Sequence, residues 1–168
     1  MIRELTREDA AQFQALRRHA AELNEGGIAD VIDDWVNKPL PEIADMLQEE
    51  HDSLNDFILG AFVDDYLVGM IGFFRPTKPT LGHKGHIWGM FIMPAWRGQR
   101  LAGKLLDMLI QRVRKLPNVE QLQLTTTNHY KAAISLYRSR GFRIFATEEA
   151  SIRIGENKYD ELYMLLNL

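Results

Sequence analysis

The sequence predicts a single mixed α/β domain over residues 1–168, with a mostly antiparallel sheet flanked by helices. Three observations carry that expectation. Apolar runs of strand length recur along the chain, and "DFILGAFV" and "YLVGMIGFF" are apolar nearly throughout, as strands buried on both faces are. Between the runs lie segments whose apolar residues return at helical spacing. No linker, repeat or low-complexity tract divides the 168 residues, and a chain of that length, 46% apolar, can bury one full-sized core.

"MIREL" opens as a short strand. Thr6 and Asp9 have the spacing of a capping box, and Ala10, Phe13, Leu16, Ala20 and Leu23 then form one stripe, so a helix is expected over residues 7–23. Asn24 and Gly26-Gly27 stop it. A short segment around Ile32, Trp35 and Val36 ends at Pro39, and Pro41 opens a second helix with Ile43, Met46 and Leu47 inward. The two apolar runs, joined by Asp64-Asp65, read as an antiparallel hairpin. "GHIWGMFIM" is a strand ended by Pro94, and Leu101, Leu105, Leu109, Val113 and Leu116 mark the helix after it. "VEQLQLTTT" alternates as a strand does, and "KAAISLYRSR" is a helix closed by Gly141. "FRIFA", "SIRI" and "YDELYMLLNL" read as three final strands, the last two joined by Gly155-Glu156-Asn157. The expected order is β-α-α-β-β-β-α-β-α-β-β-β.

Composition excludes several classes of function. Without cysteine there are no disulfides, thiolate ligands or thiol nucleophile. The charged N-terminus has no signal-peptide pattern and no apolar run approaches a membrane span, so a cytoplasmic location is expected. No basic stripe is interleaved with aromatics, which argues against a nucleic-acid partner. Charge is unevenly spread: eleven acids against Lys38 between Glu22 and Asp56, and six bases against Asp107 between Arg97 and Lys115. One segment suits a cation and the other an anion, although solvated helix faces give the same counts.

Within the basic segment, Gly98 to Lys104 spells G-x-x-x-x-G-K, but Leu105 stands where a phosphate-binding P-loop needs a Ser or Thr hydroxyl for magnesium. The segment also follows the fourth strand, not the first. What survives is the physics: a strand ending at Pro94, a turn through Gly98 and a helix N-terminus ringed by Arg97, Arg100 and Lys104 suit a pyrophosphate without a metal.

At Arg97-Gly98-Gln99-Arg100-Leu101-Ala102 the chain resembles the GCN5-related N-acetyltransferases, whose [R/Q]-x-x-G-x-[G/A] motif binds the pyrophosphate of acetyl-CoA. "FIMPAW" before it and "NHYKAAISLYRSRGF" after it are similar to neighbouring blocks of that family, and the element order fits along nearly the whole chain. The sequence departs twice from the pattern. Arg100 replaces the middle glycine, where its amide can donate if its dihedrals are helical. The family's Asn position falls on Tyr130, with Asn128 two residues earlier.

The resemblance implies transfer of an acetyl group to a primary amine by direct attack on acetyl-CoA in a ternary complex. It assigns the cofactor to the backbone of Phe91, Ile92 and Met93, to Arg97 through Lys104 (Gly103 included), and to Asn128 or Tyr130, Ala133 and Tyr137. Tyr137 is the expected donor to the departing thiolate. His86 is the preferred base, placed with Trp88 on one strand face together with Met90; His83, His129, Glu22 and Asp34 compete with it. Glu22, Asp34, Trp35 and Trp88 are candidates for holding a cationic small molecule or a protein N-terminus, by charge or cation–π contact. No metal is expected. A non-catalytic acyl-CoA sensor and a transferase for longer acyl chains are the alternatives, and homodimerisation is not legible in the sequence.

Overall fold

The computed structural model describes residues 1–23 and 36–168; the segment around Ile32 and Trp35 lies outside them. Strand β1 (Ile2–Glu4) leads through a 3₁₀ turn at Arg7–Asp9 into α1 (Ala10–Glu22), and α2 (Leu40–Asp52) follows. Asp9 closes the first turn by accepting the Thr6 amide at 2.9 Å, and it also takes both arms of Arg3. Then come β2 (Asp56–Val63), β3 (Tyr66–Phe74), β4 (Lys84–Ile92), α3 (Leu101–Val113), β5 (Gln121–Thr127), α4 (Lys131–Ser139), β6 (Arg143–Ile154) and β7 (Asn157–Asn167).

The strands form one seven-stranded sheet in the order β1-β2-β3-β4-β5-β7-β6. Every neighbouring pair is antiparallel except β4 and β5. Both sheet faces are covered, which explains the unbroken apolar runs of β2 and β3. On one face α3 and α4 pack Leu105, Leu106, Leu109, Val113 and Tyr137 against Phe57, Leu59, Phe73, Leu122 and Leu124. On the other, α1 and α2 pack Phe13, Leu16, Ile43 and Leu47 against Ile58, Phe62, Met70 and Phe91. Asp64 and Asp65, with φ of 46° and 65°, make the tight hairpin between β2 and β3 that their position suggests.

Two strand readings need correction. "FRIFA" and "SIRI" are not separate strands: they are the two ends of β6, which stays paired to β7 across an irregularity between Glu148 and Ile152, where Ala150 takes a φ of 53°. A bulge absorbs the residues that do not fit the alternation, and the sequence pattern alone reads such a break as a strand end. The second correction concerns β4. Opposite β3 the register shifts between Met70 and Gly72, so Gly89 and Met90 together face Ile71, with Gly89 at φ 61°. The bulge inverts the alternation. Trp88 packs with the α1–α2 cluster and Met90 with the α3–α4 cluster, so His86 and Trp88 do not share a face with Met90.

Candidate active site

The parallel ladder between β4 and β5 is short, running only from Lys84–Gln121 to His86–Gln123. Beyond it the two strands part, and a cleft of about 1150 Å³ opens between them. Antiparallel bonding alternates, and the Met93 amide bonds the Val68 carbonyl at 2.9 Å, so Met93 and Phe91 turn their polar groups toward β3. Ile92 therefore points its N–H and C=O into the gap. Its carbonyl is taken by Arg97 Nε at 3.0 Å, which leaves the Ile92 amide as the donor facing the cleft. Of the three residues assigned to this job, Ile92 has the geometry; Met93 spends its amide on the sheet and is not on the cleft wall.

One end of the cleft is the N-terminus of α3. Arg97, Gly98 and Arg100 through Lys104 line it, while Gln99 does not. Gly98 has φ 78°, and nothing stands within 4 Å of the place a Cβ would take, so the loop presents open backbone. Arg100 is not helical, as its amide's use had required. It caps α3 in the left-handed conformation, φ 61° and ψ 16°, the one a glycine takes there. The unpaired amides of the first turn and the positive helix end are then presented as an anion site. α3 is held to α4 by a fork between Arg140 and Asp107, at 2.9 and 3.1 Å. Gly103 permits this approach, since a Cβ there would lie 2.9 Å from Arg140 Nη2.

Within the cleft Tyr137 is buried, its hydroxyl 3.3 Å from Met90 Sδ. Burial pushes the phenol well above its ordinary pKa, so it stays protonated and acts as a donor. It already donates to a soft thioether sulfur, and a thiolate is a far stronger acceptor. Ala133 and Tyr130 also line the cleft. Asn128 does not: its side-chain amide donates to Asp160 Oδ2 at 2.9 Å, so the side chain at the mouth of α4 is Tyr130. His129 lines the cleft as well, its ring tilted against those of Tyr130 and Tyr159 and its Nδ1 3.0 Å from the Thr127 hydroxyl.

His86 lies just outside the wall, on the paired part of β4, stacked on Phe74 at 4.8 Å. Burial, and then the Lys84 charge, lower its pKa and favour the neutral imidazole. Trp88 is on the wall. Glu22 is exposed, 3.8 Å from His19, and off the wall; Asp34 and Trp35 lie outside the described residues. Two side chains at this end carry no motif that sequence reasoning uses. Glu161 of β7 lines the cleft, opposite Thr127 of β5. Arg17 of α1 lies behind Trp88 and Gly89. Among the described residues no cluster of three His, Asp or Glu side chains has the spacing of a metal site.

A helix N-terminus with open backbone and a buried hydroxyl along one gap form an arrangement that suits an acyl-CoA-dependent acyltransferase, in which the thioester must be held still while a second substrate reaches it. The family model described as acetyltransferase (GNAT) family matches residues 14–142, and the chain belongs to that family. Solved structures agree along the whole chain. An acetyltransferase of the GNAT family from Streptococcus pneumoniae superposes with a TM-score of 0.89 at 25% identity, covering 100% of this chain and 99% of that one. A ribosomal-protein-alanine N-acetyltransferase from Brucella melitensis gives 0.83 at 21%, with the same two coverages. The yncA protein of Salmonella typhimurium, solved with its cofactor acetyl-CoA, gives 0.82 at 19%, covering 100% of this chain and 93% of that one. No curated protein matches.

Proposed function

We propose that this acetyltransferase moves the acetyl group of acetyl-CoA directly to a primary amine, with both substrates bound together. The observation that carries the reading is the buried, protonated Tyr137 hydroxyl in the gap between β4 and β5, downstream of a helix N-terminus built for phosphate. The α3 loop would hold the pyrophosphate, and the Ile92 amide would bind or polarise the thioester carbonyl. The amine nitrogen attacks the carbonyl carbon, the C–S bond breaks, and the thiolate leaves hydrogen-bonded to Tyr137. A phenol of such high pKa stabilises that thiolate by donation without surrendering its proton, since a buried phenolate would be the worse anion.

The amine arrives mostly protonated, its pKa being about 10, and must lose that proton first. His86 and Glu161 are the bases we propose. His86 is held neutral and so is ready to accept, and Glu161 lines the cleft itself. The pH–rate profiles of His86→Ala and Glu161→Gln separate them, because only loss of the working base removes the acidic limb.

The test of the whole reading is CoA release with a panel of amines, in the native protein and in Tyr137→Phe. The variant is expected to bind acetyl-CoA normally and to lose about 10²-fold in kcat. Unchanged kcat would remove Tyr137 from the chemistry. Stabilisation by acetyl-CoA with no CoA release from any amine would identify a sensor in place of an enzyme.

A further inference from the structure

Arg17 sits on the apolar face of α1, four residues after Phe13 and three before Ala20, and it is only 2% exposed. Its Nε and Nη1 are buried without a hydrogen-bond partner, and among the described residues no carboxylate is paired with it. Burial lowers its pKa only to about 10, so the guanidinium remains charged at neutral pH. A buried unpaired cation is strongly unfavourable, and a Met or Leu at this position would simply join the cluster of Phe13, Leu16 and Ala20.

The guanidinium has a defined place. Its carbon lies 5.5 Å from the Trp88 ring centroid, and a Cβ built on Gly89 would stand 3.1 Å from Nη1. Trp88 and Gly89 both line the cleft, where β4 bulges opposite β3, and Arg17 lies directly behind them without itself reaching the wall. The glycine thus lets the charge come up to the strand that presents the Ile92 amide. This is not the cofactor's phosphate site. The phosphate loop belongs to the α3–α4 side, whereas Arg17 packs on the α1–α2 side with Met70 and Trp88.

We propose that Arg17 is a specificity residue for the acceptor, pairing with a carboxylate carried by the amine substrate, so that the acceptor is a free amino acid. This rests on the transfer reading above and names its substrate class. Arg17 Nε and Nη1 are covered behind Trp88, so contact requires the indole to move aside; a planar guanidinium so uncovered matches a carboxylate in a two-point contact, and the anion would supply the partners that the protein itself withholds. A protein N-terminus has an amide where a free amino acid has its carboxylate, and a polyamine has none, so neither meets the charge.

Two measurements test this. In the first, binding of N-acetylated amino acids in the presence of CoA is followed by calorimetry, beside the same compounds with the carboxylate amidated. The native protein is expected to bind the acids at least 10-fold more tightly than the amides. Arg17→Met is expected to erase that difference while melting no lower than the native protein, and Arg17→Lys to keep part of it. In the second, CoA release is compared for free amino acids, their amides and the matching decarboxylated amines. The acids are expected to lose about 100-fold in kcat/KM in Arg17→Met, with the amides and simple amines unchanged. Equal binding of acids and amides by the native protein overturns the proposal. So does an equal loss of kcat/KM on all three classes, which would place Arg17 at the thioester. Selective binding of the acids without CoA release from any of them would keep the carboxylate site and refute the transfer reading.

Discussion

The two faces of the sheet solve the same burial problem to different standards. On the α3–α4 face every buried side-chain nitrogen and oxygen among the described residues has a partner, and the long clamp between Arg140 and Asp107 is fully forked. On the α1–α2 side the chain leaves Arg17 and Glu50 with buried, unpartnered atoms. The two proposals made above ask different things of the two sides. On the reading proposed above, a CoA phosphate and thioester would meet backbone amides, a helix end and one phenol, all satisfied or solvated before the ligand arrives. On the proposal made for Arg17, that side chain keeps its charge unmet until the acceptor's carboxylate arrives, whereas Glu50 lies off the cleft, near Asp56 and Glu4, and meets burial by holding its proton.

Glycines on the two sides break this comparison most sharply. Gly89 on β4 has φ 61°, and its missing Cβ would stand 3.1 Å from Arg17 Nη1 and 3.2 Å from Met70 Cε. Gly89→Val therefore adds left-handed strain to crowding, and should cost about 3 kcal/mol in stability. Thermal melting reads that loss, and a fall of less than about 1 kcal/mol would mean the bulge adapts freely. Gly98 has a comparable φ of 78° but open space around it, so Gly98→Ala should cost only about 1 kcal/mol. Its larger effect should fall on CoA affinity, measured by titration, because the new methyl lies in the cradle.

The unpaired acid gives the second largest effect. Burial, and then the charges of Asp56 and Glu4, push the Glu50 carboxyl up to about 7, from 4.5 in the unfolded chain. Folding therefore favours the protonated form. Its stabilising contribution is complete below pH 4.5 and is lost as the pH rises through 7, by about 3 kcal/mol in all. Melting temperatures of the native protein and Glu50→Gln should coincide near pH 4.5 and diverge by pH 8, with the variant the more stable. Parallel curves would show that Glu50 finds a partner as an anion.

The same contrast decides what could be read from the sequence. That Gly98, the start of α3 and Tyr137 would line one cleft was legible because the proposed backbone recognition of a phosphate needs a fixed local spacing, from Pro94 through Gly98 to the start of α3, with Tyr137 on the helix after β5. The buried strands were legible for a related reason, as "DFILGAFV" and "YLVGMIGFF" must be apolar on both faces. The other side was not. Arg17 and Glu161 lie 144 positions apart, on α1 and β7, and no local pattern ties them to Trp88. The bulge at Gly89 was equally hidden. A glycine in a strand suggests one, but which residues change face depends on the partner strand. It was this bulge that separated Trp88 from Met90.

Arg100 gives the smallest effect and the finest test of how the cofactor side works. It holds a left-handed conformation that costs an ordinary residue about 1 kcal/mol relative to glycine. Glycine in its place would relieve that strain but also loosen the unfolded chain by a similar amount, so Arg100→Gly should change stability by less than about 0.5 kcal/mol. The retained arginine must then act through its charge or merely be tolerated. If its charge assists the phosphate, the Kd for CoA should weaken about three-fold in the variant at low salt, and the two proteins should converge at high salt, where surface charges are screened. A tighter Kd for Arg100→Gly at low salt would reverse the argument: the Cβ would then be holding the loop away from the phosphate, and the missing glycine would be a real loss to the cradle.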